Sequence, residues 1–249
     1  MDEYERIGAG YARHRRADPR LMRAIVDALD GNRNVVNVGA GAGSYEPPEL
    51  ATVAVEPAAT MIAQRPPGSA PCLRARAEAL PIGDQTFDAG LAVLTVHHWS
   101  DWRAGLRELA RVVRRKVVLF TWDPGSEGFW LRDYLPEMLA ADRRRFPSLA
   151  DLRTVLGDVG VQRVPIPHDC TDGFLGAYWR RPEAYLDPSI RHSISSLARE
   201  EFTAAVARLA ADVKSGAWAR ACGHLLEAPE LDIGYCLVIA NVGRRRTRR

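Results

Sequence analysis

The sequence predicts an α/β fold built on a doubly wound, largely parallel sheet. Three features predict it. Short β-branched runs alternate with stretches of helical periodicity, the first run ends in a glycine cluster, and the second ends on an acidic residue. Crossovers between parallel strands are right-handed, so the alternation winds helices onto both faces of the sheet.

The elements follow in order. Asp18-Pro19 is an N-cap with proline at the first helical position. Met22, Ile25, Val26 and Leu29 then recur at helical spacing until Asp30-Gly31 stops the run. Residues 35–38 form a first strand that runs into Gly39-Ala40-Gly41-Ala42-Gly43. Residues 52–55 form a second, ending at Glu56, with helical sequence over 58–64 and a Pro/Gly/Ser loop over 66–71. A third strand spans 87–94, Trp102, Leu106, Leu109 and Val113 mark a helix, and residues 117–122 make the next strand.

After Asp123-Pro124 the pattern changes. Residues 125–228 read as mainly helical and rich in aromatics, with Phe202, Val206, Leu209 and Val213 on one helix face. An apolar stretch at 161–166 reads as a further strand, and 235–242 as a closing strand. One elaborated domain is expected, with a core at 1–124, a helical segment at 125–228, a closing strand at 229–243 and a basic tail at 244–249.

Composition narrows the class. Of 249 residues, 47% are hydrophobic and 26% charged, which suits a soluble globular protein and excludes collagen and coiled coil. No apolar run approaches the ~20 residues needed to span a bilayer. The start, MDEYERIG, is acidic and lacks an apolar core, so no secretory signal is expected. Cys72, Cys170, Cys222 and Cys236 form no C-x-x-C pair, which predicts buried thiols in a reducing cytoplasm and no metal. The net charge of +3 is local: without the five arginines of 244–249 the rest carries 29 basic against 31 acidic residues, net −2. The tail is expected to be disordered, and neither nucleic acid nor membrane is an expected partner.

The chemistry concentrates in 35–45, VVNVGAGAGSY. Glycines after a strand let backbone approach a ligand closely, and a helix expected to follow would present free N–H groups and its positive dipole end to that ligand. Glu56, 17 positions after Gly39, can accept hydrogen bonds from both ribose hydroxyls of a nucleoside lying across the switch point of the sheet. The spacing is G-x-G-x-G, whereas enzymes that seat a pyrophosphate use G-x-G-x-x-G. An adenosine without phosphates is therefore preferred to a dinucleotide, and S-adenosylmethionine fits that description.

With these residues in place, the sequence resembles the class I S-adenosylmethionine-dependent methyltransferases, of the broad bacterial type that includes ubiquinone/menaquinone methyltransferase-like proteins. The resemblance rests on the glycine loop, VEPAATMIAQRP at 55–66, AEALPIGDQTFD at 77–88, LTVHHWSDW at 94–102 and RELARVVR at 107–114. It covers about residues 4 to 124. It implies a Rossmann-like seven-stranded sheet with an antiparallel last strand, and a mainly helical insertion between strands 5 and 7.

The resemblance also implies roles. Gly39, Ala40 and Gly41 would line the methionine part of the cofactor, Glu56 would bind its ribose, and Pro57 and Met61 would lie near the adenine. Ala77 and Glu78 would flank the adenine, and Leu94 would lie beneath the sulfonium. Tyr11 and Arg15 of YARHR would close over the cofactor, Arg15 pairing with its carboxylate. The position of Asn37 is usually acidic in the family and holds the cofactor's ammonium. Asn37 can accept a hydrogen bond there but brings no charge, so looser binding is expected, and a family member without transfer activity stays open as the alternative.

For the acceptor side, His97 and His98 follow the strand at the edge where ligands bind, as candidate catalytic bases. A pair that orients the loop or caps the helix starting near Ser100 is the competing reading. Trp122, with Asp123, is expected to floor a substrate pocket, and Trp130, Tyr134, His168 and Tyr178 to complete it for a flat or apolar small molecule. Methyl transfer to O, N or C of a specialised metabolite, by a monomer or homodimer, is the resulting expectation. A serine hydrolase is excluded because no G-x-S-x-G elbow is present.

Overall fold

Seven strands make the central sheet of the computed structural model, which describes residues 11–198 and 202–242, the side chains of Tyr11 and Ala12 excepted. They are β1 (Asn34–Val38), β2 (Ala51–Val55), β3 (Cys72–Leu73), β4 (Phe87–Val93), β5 (Val113–Trp122), β6 (Val159–Arg163) and β7 (Tyr235–Asn241). Their order across the sheet is β3-β2-β1-β4-β5-β7-β6. The first five run parallel, while β7 runs antiparallel to both β5 and β6. The strand order reverses between β1 and β4, and ligands in such sheets bind at that switch point, outside the carboxyl ends of the strands.

Helix α1 (Pro19–Leu29) forms where its apolar stripe predicts. The Asp18 carboxylate accepts from Arg20 N–H, and Asp30 ends the helix in the left-handed region at φ 53°. Its buried Leu21, Ile25 and Leu29 cover one face of the sheet, with Val35, Leu91 and Phe120. Helix α2 (Trp102–Val112) covers the other, burying Leu106, Leu109 and Val112 against Val36, Val117 and Leu119. Each such buried side chain contributes about 1.5–3 kcal/mol relative to leaving it in water.

The segment between β5 and β7 is less regular than its pattern predicts. Helices α3 (Pro136–Arg145) and α4 (Leu149–Leu156) are joined by a Ser148 capping box; short 3-10 turns and helices fill much of the remainder. The expected strand at 161–166 divides into β6 and a two-residue ribbon, Ile166–Pro167 with Glu230–Leu231. Pro165 and Pro167 lack the N–H that a continuing ladder needs. The helix expected over 58–64 is confined to Ala59–Ile62, and the helix expected after the glycine cluster does not form, since turns fill residues 41–50 up to β2. The tail expectation at 244–249 lies outside the described residues.

Candidate active site

The turn after β1 is built on backbone hydrogen bonds. Gly39 and Ala40 both donate to the Val55 carbonyl, at 2.8 and 3.1 Å, which ties the glycine loop to the end of β2. Gly39 has φ +73°, and a Cβ there would lie 2.1 Å from Thr95 Oγ1. Only glycine satisfies both demands. Glu56, buried at the end of β2, accepts from Gly41 N–H at 2.8 Å and from Ala58 N–H at 3.0 Å, so it shapes the loop it faces.

Around this turn lies a cavity of about 930 Å³, its open mouth included. It is bordered by Asn37, Gly39, Ala40, Gly41, Glu56 and Pro57, and then by Met61, Ala77, Glu78, Leu94 and Arg15, all expected from sequence as cofactor residues. Thr95, Trp99 and Arg76 border it as well. Glu78 accepts from Ser100 Oγ at 2.8 Å and Asp101 N–H at 3.0 Å. Burial opposes its ionisation, but these donors outweigh it and hold the carboxyl below its ordinary range.

The residues fit the cofactor that the resemblance implies. Asn37 is 2% exposed and borders the cavity, and its Oδ1 has no hydrogen-bond partner among the described residues. An orphaned buried acceptor of this kind suits an ammonium donor. Its amide is oriented by Nδ2, which donates to Glu46 Oε1 at 3.2 Å. Glu46 in turn meets Arg65 at 2.5 Å, both side chains nearly buried at 4% and 6% exposure.

A second cavity of about 750 Å³, again with its mouth, meets the first at Arg15, Leu94 and His98. Its walls are mostly apolar: Trp122, Met138, Phe146, Phe174, Ile194 and Ile233. His97 borders it and stacks on Phe146, centroids 3.7 Å apart at 18°. His98 borders both cavities, and its Nδ1 lies 3.3 Å from Arg145 Nη2. A guanidinium only donates, so this nitrogen accepts. The helix-capping reading of the pair fails, because the cap of α2 is Asp101, which accepts from Ala104 N–H.

Several expectations are corrected. Arg15 borders both cavities, yet its guanidinium pairs with Asp172 inside the protein, Nε to Oδ1 at 2.7 Å. Asp172 is fully buried and also accepts from Tyr45 OH at 2.9 Å. Trp130, Tyr134, His168 and Tyr178 do not border the second cavity. Trp130 is core, donating to the Trp179 carbonyl at 2.6 Å and meeting Tyr185 and Trp218 edge to face. Tyr134 donates to Asp212, Tyr178 lies under Arg181, and the backbone N–H of His168 donates to the Pro229 carbonyl. Asp123 is held by Arg163 and Gly125 rather than flooring the pocket. The side chain of Tyr11 lies outside the described residues.

The residues that sequence reasoning missed come mainly from α3 and its flanks: Met138, Asp142 and Phe146. That helix ends in three arginines and has no clear apolar stripe, so no periodic signal marked it. Among the described residues, no cluster of three or more His, Cys, Asp or Glu is placed to hold a metal. No described helix is long and apolar enough to cross a membrane.

Comparison with known proteins agrees with this geometry. A methyltransferase-domain family profile matches residues 36–121, which span β1 to β5. An uncharacterised protein of Mycobacterium tuberculosis is 31% identical over 132 residues, 45% of this chain and 47% of that protein. The chain thus spans about half the length of the curated relatives it matches first. A crystal structure from Anabaena variabilis, of a protein assigned as a methyltransferase from an antibiotic biosynthesis pathway, is 32% identical. It superposes with TM-score 0.85, over 91% of this chain and 98% of that one. A S-adenosylmethionine-dependent methyltransferase of Thermotoga maritima, 16% identical with TM-score 0.55 over 97% and 98% of the chains, shares the fold. By its match to a relative covered almost end to end and by its domain profile, the chain belongs to the class I S-adenosylmethionine-dependent methyltransferases.

Proposed function

We propose that the chain transfers a methyl group from S-adenosylmethionine to an oxygen, nitrogen or carbon atom of a small molecule, a specialised metabolite. The observation that carries this reading is the junction of two cavities at Arg15, Leu94 and His98. One cavity has the nucleoside-binding residues and the other is apolar, so an acceptor in the second faces the first. The antibiotic-pathway assignment of the Anabaena relative supports the metabolite class.

When bound, the cofactor supplies an already electrophilic methyl group on sulfur. The chain's part is to hold the acceptor in line and to exclude water, an effect worth up to about 7–11 kcal/mol. Glu56 would take the ribose hydroxyls, Asn37 Oδ1 the ammonium, and Met61 and Pro57 the adenine. His98, whose Nδ1 accepts from Arg145, is left with Nε2–H and donates to the acceptor or its surroundings. Proton removal falls to His97, which borders the acceptor cavity.

Titration calorimetry with S-adenosylmethionine tests the first half of the reading: saturable binding is expected, and its absence sinks the proposal. His97→Gln should then lower kcat by about 100-fold or more for an oxygen or nitrogen acceptor, flattening the pH–rate profile without moving cofactor affinity. A second reading, a cofactor-binding protein without transfer, is favoured by Asn37 alone. Methylated product from any acceptor excludes it.

A further inference from the structure

The charged side chains that border the acceptor cavity are already neutralised from within the protein. Three such residues border it among the described residues: Arg15, Asp142 and Arg132. Arg15 is paired with the buried Asp172 at 2.7 Å, its own side chain 12% exposed. Asp142, buried on α3, accepts from Ser196 Oγ at 2.6 Å and from Arg145 Nη1 at 3.3 Å. Arg132, at the more open rim, lies 3.4 Å from Glu127 and 3.7 Å from Asp133. His98 accepts at Nδ1 from the same Arg145. The rest of the wall is largely aromatic and aliphatic.

An ion entering such a space loses its water and meets counter-charges that are already engaged. A carboxylate would compete with Asp172 or Asp142 for its arginine, and an ammonium would compete with Arg145 for Asp142. A neutral molecule loses little water and gains apolar contact. We infer that the acceptor is a neutral, largely apolar molecule, its reacting atom carried as a hydroxyl or another uncharged group. This rests on the methyl-transfer reading only for the word acceptor; the selectivity belongs to the cavity itself.

The pair Asp142–Arg145 makes the inference reversible, because each partner can be removed by itself. Asp142→Asn leaves the guanidinium without its carboxylate and opens the cavity to anions. Arg145→Met leaves the carboxylate and opens it to cations. A role confined to packing would weaken every ligand together and could not invert selectivity in opposite directions.

The experiment is calorimetric binding, at neutral pH, of three probes with the same ring system to the full chain: 2-naphthol, 2-naphthoate and 2-naphthylmethylammonium. The unmodified protein should bind naphthol about tenfold or more tightly than either ion. Asp142→Asn should improve naphthoate relative to naphthol by about tenfold, and Arg145→Met should do the same for the ammonium probe. The arginine-rich tail is common to all three proteins and cancels from these ratios. Equal binding of an ion and naphthol by the unmodified protein overturns the inference, as does binding of none of the three, or selectivity that neither variant shifts. Cofactor titration is read separately: naphthol-selective binding without S-adenosylmethionine binding would defeat the methyl-transfer reading and leave the cavity's neutrality standing.

Discussion

Asn37 donates through Nδ2 to Glu46 Oε1 across 3.2 Å, and of the two only Asn37 borders the cofactor cavity. The negative charge that the resemblance leads one to expect at position 37 is carried instead by Glu46, nine positions further on and behind the Asn37 amide. There it is compensated by Arg65 at 2.5 Å.

Restoring the family's acidic residue should therefore fail by itself. Asn37→Asp sets two carboxylates side by side in a buried site, where both cannot ionise cheaply. Lower thermal stability and no tighter binding of S-adenosylmethionine are expected. Adding Glu46→Gln should turn the effect favourable, with a coupling of about 1–2 kcal/mol in the double-mutant cycle. Additive effects of the two changes would refute the relation.

Gly39→Ala should damage both stability and the cofactor cavity. The new methyl group would meet Thr95 Oγ1 at 2.1 Å on backbone with φ +73°. A cost of about 2 kcal/mol or more is expected in chemical denaturation. Thr95→Gly in the same chain removes the collision but leaves the backbone cost of about 1 kcal/mol, so rescue should be partial.

Asp172 holds Arg15 and Tyr45 at once, and Asp172→Ala removes both contacts. A loss of about 3–5 kcal/mol is expected, because the fully buried carboxylate that pairs with an arginine at 12% exposure is removed. Burial first, and then the charge of Asp172, push the Tyr45 hydroxyl well above its ordinary value of 10. Tyr185 and Tyr235 shift the same way through burial. A raised folded-state value means that this stability is complete below about pH 10 and drains away as pH climbs beyond it. Denaturation series at rising pH should show that decline, and Tyr45→Phe should make it shallower.

Thiol labelling should divide the cysteines into two pairs. Burial pushes Cys170 and Cys236 up to about 12, so at mildly alkaline pH they should resist a maleimide until the chain unfolds. Cys72 and Cys222, only partly buried, should react first. Mass spectrometry showing four equal rates would contradict this packing.

Much of the cofactor side was legible because its signals are local. A strand, a glycine turn and an acidic residue at the next strand's end sit within 25 positions, and backbone geometry does the rest. Asp18-Pro19 and Asp30-Gly31 likewise mark the ends of α1 through caps that involve near neighbours. The acceptor side was not legible in the same way. Trp130, Tyr134 and Tyr178 look like pocket aromatics until their partners are known, and those partners, Trp218, Asp212 and Tyr185, are mostly distant in sequence. Asp142 and Phe146 sit on an arginine-rich helix with no apolar period, and they acquire meaning only when α3 lies beside His97 and His98. Arg15 borders the junction of the two cavities, and nothing near it in sequence announces that Asp172 holds it from within.

The antiparallel β7 separates β5 from β6, so the sheet is completed by a strand made more than seventy residues after the edge strand it must join. While the ribosome is still reading the segment between them, β6 has no strand to pair with. The wall carrying Ile233 and Tyr235 is not yet translated either. The walls of the nucleoside half, by contrast, come from residues that precede β5, and only the anchoring of Arg15 and Tyr45 waits for Asp172. On a nascent chain the two cavities therefore mature at different times, and the one that chooses the acceptor is born last.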